Sequence, residues 1–153
     1  MRNLKIAFAF FAFVFSTSIQ AQIPPVDDNG LAIGGYDVVA YFSGEAQQGS
    51  AIHTAKYDGV TYQFASAENL AAFEASPTDY LPQFDGYCAW GVGAQEAKFP
   101  INPETFDIID GKLYLFFNGP FDGEPFNTLL PWNAETTELR EAAHTNWVKV
   151  SQH

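Results

Sequence analysis

The sequence predicts an α+β fold: one small domain of antiparallel hairpins packed with short helices. Two observations carry this. Alternating runs, His53 to Tyr57 with Val60 to Phe64 and Phe106 to Ile109 with Lys112 to Phe117, flank Asp58-Gly59 and Asp110-Gly111. Those dipeptides suit a two-residue type I′ turn, which demands positive φ at both positions. Around the hairpins lie short segments with helix start and stop signals.

Arg2 and Lys5 precede an apolar run from Ile6 to Phe15 and a small, polar stretch ending at Ala21. This is the pattern of a secretory signal peptide, cleaved near Ala21. The run is shorter than the roughly 20 residues that span a bilayer, and no later stretch could cross one. The mature chain is therefore expected to be periplasmic or secreted, with no membrane insertion. Residues 1–21 form the signal peptide, 22–31 an extended lead-in and 32–150 the domain.

Pro24-Pro25 and Asp27-Asp28-Asn29-Gly30 predict a poorly ordered lead-in. Tyr36 to Phe42 is dense in strand formers and reads as a first strand or turn, followed by a Gly- and Gln-rich loop from Ser43 to Ser50. The first hairpin comes next. Ser66 then starts a helix whose apolar face, Leu70, Ala71 and Phe73, stops at Pro77, and a second helical turn begins at Ser76 or Thr78. Phe84 to Val92 is apolar, aromatic and punctuated by glycine. After the second hairpin, residues 118–131 read as a Gly/Pro loop and 134–150 as a final helix.

The 7 basic residues less Arg2 and Lys5 leave 5 against 18 acidic ones, a formal charge of −13 for the mature chain. That charge opposes nucleic acid and anionic lipid and favours cationic partners, metal ions included. Cys88 is the single cysteine, so no internal disulfide is possible. Aromatic residues, 16% of the chain, must supply much of the core.

Ala32 to Phe42, Tyr57 to Asn69 and Gly86 to Trp90, continued by Asp110 to Leu115 and by Asn146-Trp147, together resemble exported proteins with a YHS domain. The resemblance spans nearly all of the mature chain. It implies a small α+β module related to metal-binding domains, found alone or fused to metal transporters and reductases, mostly without an assigned activity. Metal-binding relatives resemble Phe-Cys-Ser-x-x-Cys at the end of the second strand, two thiolates one helical turn apart. This chain has Phe64-Ala65-Ser66-Ala67-Glu68-Asn69 there, so both thiolate positions are lost and a structural zinc site at that place is implausible. Residues 119–130 also depart from exported members, where the region is more basic and helical.

Cys88 is the remaining chemical handle, with His53 as a helper. Thiolate plus imidazole suits copper(I), or zinc, in a site completed by water or substrate, the ion passing to or from another exported or membrane metal-handling protein. Against this, a lone cysteine between Tyr87 and Ala89-Trp90 reads as a small core residue. In that case an aromatic cleft around Tyr36, Tyr41, Tyr87 and Trp90 recognises a small ligand or a protein, without metal. An enzyme is not indicated. A second thiol for a redox cycle is missing, no Gly-rich loop leads into a phosphate-binding helix, and no third residue marks a Cys–His nucleophile. His144 and His153 are assigned no role.

Overall fold

The computed structural model describes residues 22–153, and the signal-peptide reading of residues 1–21 lies outside them. Among the described residues, six strands pair as three separate antiparallel hairpins. These are β1 (Ser50–Tyr57) with β2 (Val60–Phe64), β3 (Asn102–Ile109) with β4 (Lys112–Phe116), and β5 (Asn118–Phe121) with β6 (Glu124–Asn127). The helices are α1 (Ala67–Ala75), α2 (Pro77–Tyr80), α3 (Ala89–Gln95), α4 (Leu129–Ala134) and α5 (Thr136–Val150). The α+β class read from the sequence is the class observed.

One turn chemistry closes all three hairpins. Asp58-Gly59, Asp110-Gly111 and Asp122-Gly123 each have positive φ at both positions, between the closing pairs Tyr57↔Val60, Ile109↔Lys112 and Phe121↔Glu124. The third hairpin corrects the loop expected over 118–131. Pro120 and Pro125 disguised it, yet they sit directly opposite each other. Theirs is the pair next to the closing one, whose N–H groups would point outward, so neither proline removes a bond from inside the ladder.

Ser66 caps α1, its hydroxyl accepting the Asn69 N–H at 3.1 Å, and Pro77 opens α2 where no donor is needed. The final helix read over 134–150 is α5, and α4 precedes it at the end of the stretch read as loop. At Gly93, α3 meets α5 so closely that a Cβ would lie 2.6 Å from the Leu139 carbonyl oxygen. The Asn146 side-chain amide donates to the Val92 and Gly93 carbonyls at 3.0 and 3.1 Å, satisfying the open end of α3.

The lead-in is ordered, contrary to the sequence reading. Ile23 and Ile101 exchange both backbone hydrogen bonds at 2.9 Å, the Asp27 carboxylate accepts the Asn29 and Leu31 N–H groups, and the Ile33 N–H donates to Pro25. Pairing of this backbone with distant segments overrides its local composition. Of the strand or turn expected at Tyr36 to Phe42, the structure has the turn: short 3₁₀ turns occupy Ile33–Gly35 and Ala40–Ser43. Asp37 bends the chain there. One carboxylate oxygen accepts the Val39 and Ala40 N–H groups at 2.8 and 3.3 Å, a local bond that competes with a strand ladder. The other accepts the Ala65 N–H at 2.8 Å and the Asn69 amide at 2.7 Å. A fully buried charge thus takes four donors and pins the N-terminal segment to the end of β2 and the start of α1.

The core is largely aromatic. Phe73 packs on Tyr62 and Phe64 with ring centroids 5.0 Å apart, and Trp132 lies against Tyr114 and Phe116 at 5.6 and 5.3 Å. Trp147 of α5 covers Phe84 at 5.8 Å. These tilted and edge-on contacts contribute specificity beyond area burial.

Candidate functional site

Cys88 is the N-cap residue of α3 and is 0% exposed. Its Sγ lies 3.2 Å from the Thr128 hydroxyl, which itself donates to the Phe117 carbonyl at 2.9 Å. That hydroxyl has one proton, already committed, so the thiol is the donor in a relay from Cys88 through Thr128 to Phe117. Burial pushes the thiol pKa up, and the bonds a thiolate would accept from a reoriented Thr128 hydroxyl and from backbone groups of Gly91, Phe117 and Trp90 offset only part of the shift. A protonated, enclosed thiol is a poor metal ligand in this conformation. His53 is half-buried in β1, in the stretch between Ser50 and Thr54 where the pairing register shifts. Among the described residues, no group of three or more His, Cys, Asp or Glu side chains is gathered to hold a metal ion.

The four aromatic residues expected to share a cleft are divided among three places. Tyr41 is fully buried and its hydroxyl donates to the Pro103 carbonyl at 2.7 Å; burial above all, then Tyr36, Glu104 and Asp37, pushes its pKa far up. The Tyr36 hydroxyl donates to Glu104 at 3.2 Å. Tyr87 and Trp90, on either side of Cys88, line different hollows, because the start of α3 turns their side chains apart.

Tyr87 belongs to a cavity of about 380 Å³ between the lead-in, the first hairpin and the segment before α3. Pro25, Val26, Ile33, Leu81 and Pro82 make its apolar wall, and Tyr57, Tyr62 and Tyr87 supply the rings. Asp58, Asp85 and Lys98 also line it. Asp85 is placed by unusual backbone: Phe84, Asp85 and Gly86 are consecutively left-handed, with φ of 56°, 51° and 82°. Such a run in two non-glycine residues stores strain and concentrates where side chains must be aimed. Gly86 also lets the lead-in cross, since a Cβ there would sit 3.1 Å from both Pro25 and Ile33. Tyr62 is pushed up to about 12, chiefly by burial and then by the Asp85 and Asp58 carboxylates, so both carboxylates act on this phenol. The Lys98 ammonium stands over the Tyr87 and Trp147 rings at 5.2 and 5.8 Å.

Sequence reasoning singled out Tyr87 but missed Tyr57, Tyr62, Asp58, Asp85 and Lys98. Asp58 was absorbed into turn chemistry, and Asp85 shows its role only through a backbone conformation. The usable signal was Lys98, one of 5 lysines and arginines in residues 22–153, set beside Phe99. Comparisons with models of known protein families, with curated proteins and with solved structures find no match.

Proposed function

We propose that the protein is a non-enzymatic binding module whose tyrosine-lined cavity takes a small organic molecule with an apolar body and a cationic amine end. The supporting observation is that three tyrosine rings share one hollow with Asp58 and Asp85, exposed carboxylates with no ion-pair partner among the described residues. A volume of about 380 Å³ falls within the roughly 300–1,000 Å³ of small-molecule sites. Ring faces and carboxylates both attract an organic cation. Lys98 offers a counter-charge to a ligand that also bears a carboxylate.

The test is calorimetric titration with benzylamine and, separately, benzoate. Benzylamine is expected to bind one-to-one and more tightly than benzoate, and Asp58→Asn and Asp85→Asn should each weaken it by about tenfold, one lost charge contact. Equal binding of the two compounds, or binding indifferent to both substitutions, overturns the reading. The copper reading of Cys88, with the YHS-like resemblance behind it, is tested by anaerobic copper(I) titration. One-to-one uptake lost in Cys88→Ser and weakened in His53→Ala sustains metal handling, and no uptake retires it.

A further inference from the structure

A second hollow lies on the other side of Cys88. Trp90 and Gln95 of α3, Phe99, and Phe121, Glu124, Pro125 and Phe126 of the third hairpin enclose about 370 Å³. Trp90 stands edge-on to Phe126 at 5.3 Å, and Phe121 lies 6.0 Å from Phe126 while remaining 50% exposed. Lys98 and Phe99 separate here: the lysine lines the tyrosine cavity and the phenylalanine lines this groove. The half-exposed Phe121 at the lip of this aromatic groove extends its apolar surface into solvent.

Charge selects the partner. No lysine or arginine lines the groove, Glu124 does, and Asp122 occupies the adjoining turn. On α5, Lys149 is engaged by Glu96 at 2.9 Å and Arg140 by Asp110 at 2.7 Å. With 18 acidic residues on the chain, the field at the groove is negative and attracts a basic partner. Backbone chemistry selects its shape. Pro120 and Pro125 occupy the pair whose N–H groups would face outward, so both edges of the hairpin lack a donor at mid-strand. Strand addition is thereby disfavoured, which leaves the contact chiefly to side chains.

We propose that this groove docks a basic amphipathic helix of a partner protein, an apolar side chain entering between Trp90, Phe99, Phe121 and Phe126 while lysines or arginines meet Asp122 and Glu124. The site is independent of the tyrosine cavity, so either assignment stands if the other fails.

The probe is a labelled synthetic helix of leucine and lysine in amphipathic pattern, titrated by fluorescence anisotropy into the protein. Two counterparts run beside it, one with alanine for leucine and one with glutamate for lysine. The basic leucine helix is expected to saturate one-to-one and to bind at least about tenfold more tightly than either counterpart, as a central apolar anchor demands. Phe121→Ala should weaken it by about tenfold and Glu124→Lys by several-fold, with added salt acting chiefly on the Glu124 contribution. Because Phe121 is half exposed and Glu124 lies on the surface, both variants keep the wild-type melting temperature within a few degrees, which separates lost binding from lost folding. Failure to saturate, or equal binding by wild type, Phe121→Ala and Glu124→Lys, reduces the effect to general attraction between a polyanion and a polycation and overturns the proposal.

Discussion

The tyrosine cavity takes one wall from the segment around Pro25 and Ile33, anchored nearby by the Asp37 carboxylate with its four donors, whereas the walls of the Trp90 groove are tied by a neutral relay from Cys88 through Thr128 to Phe117. Cys88 stands two residues before Trp90, and Thr128 two residues after Phe126. Bonds to a buried charge are about twice as strong as neutral ones, and the Asp37 oxygens join segments 28 and 32 residues apart. The cavity wall is therefore the rigid one. The third hairpin, held by weaker neutral bonds and largely exposed, is the part of the molecule able to adjust to what it meets.

The contrast breaks most visibly at Asp37. Asp37→Ala leaves four donors without their acceptor and should lower stability by about 3 kcal/mol, read from the denaturant midpoint. A loss under about 1 kcal/mol would make the carboxylate dispensable and erase the difference between the two sides. Thr128→Val keeps the shape, removes the acceptor of the Cys88 thiol and the donor to Phe117, and should lower stability by about 1.5 kcal/mol by the same measurement. A loss equal to that of Asp37→Ala would show the neutral relay to be no weaker.

Alkaline pH acts on the same groups with a definite sign. Cys88, Tyr62 and Tyr41 all have pKa values raised by burial, so above the unfolded-state values the unfolded chain holds fewer protons than the folded one. Stability is then intact at neutral pH and declines as pH rises, from about 8.5 for the thiol and about 10 for the phenols. The Tyr62 contribution falls between about 10 and about 12. Thermal melts of Cys88→Ala should lose the first part of that decline and keep the second. An unchanged onset would mean that the thiol ionises freely in the folded state, reopening Cys88 as a ligand. The smallest effect belongs to Arg140→Ala: its Asp110 partner is 79% exposed, so removal should cost under about 0.5 kcal/mol and less in high salt.

What could be read in advance follows the range of the interaction concerned. The first two hairpins and α1 were legible because Asp-Gly turns, the Ser66 cap and the Pro77 stop act within a few residues. The third Asp-Gly turn used the same code but was masked by Pro120 and Pro125, whose harmlessness depends on pairing register. The bend at Asp37 was half legible: its bonds from Val39 and Ala40 are local turn chemistry, but the Ala65 and Asn69 donors that pin it are remote in sequence. The same holds for the candidate sites. Tyr87 and Trp90 were chosen as neighbours in sequence, yet their side chains serve opposite faces, and the residues that complete the cavity come from the lead-in, the first hairpin and the approach to α3.

The three hairpins never merge into a common sheet. A lone two-stranded hairpin forms within microseconds but barely persists in water. What stabilises them here is the aromatic interior, and part of its cover is the 15-residue α5, whose Trp147 overlies Phe84 and whose Asn146 closes α3. A chain lacking residues 136–150 would leave Phe84 and the open end of α3 uncovered, so it is expected to hold its hairpins less firmly than the full chain.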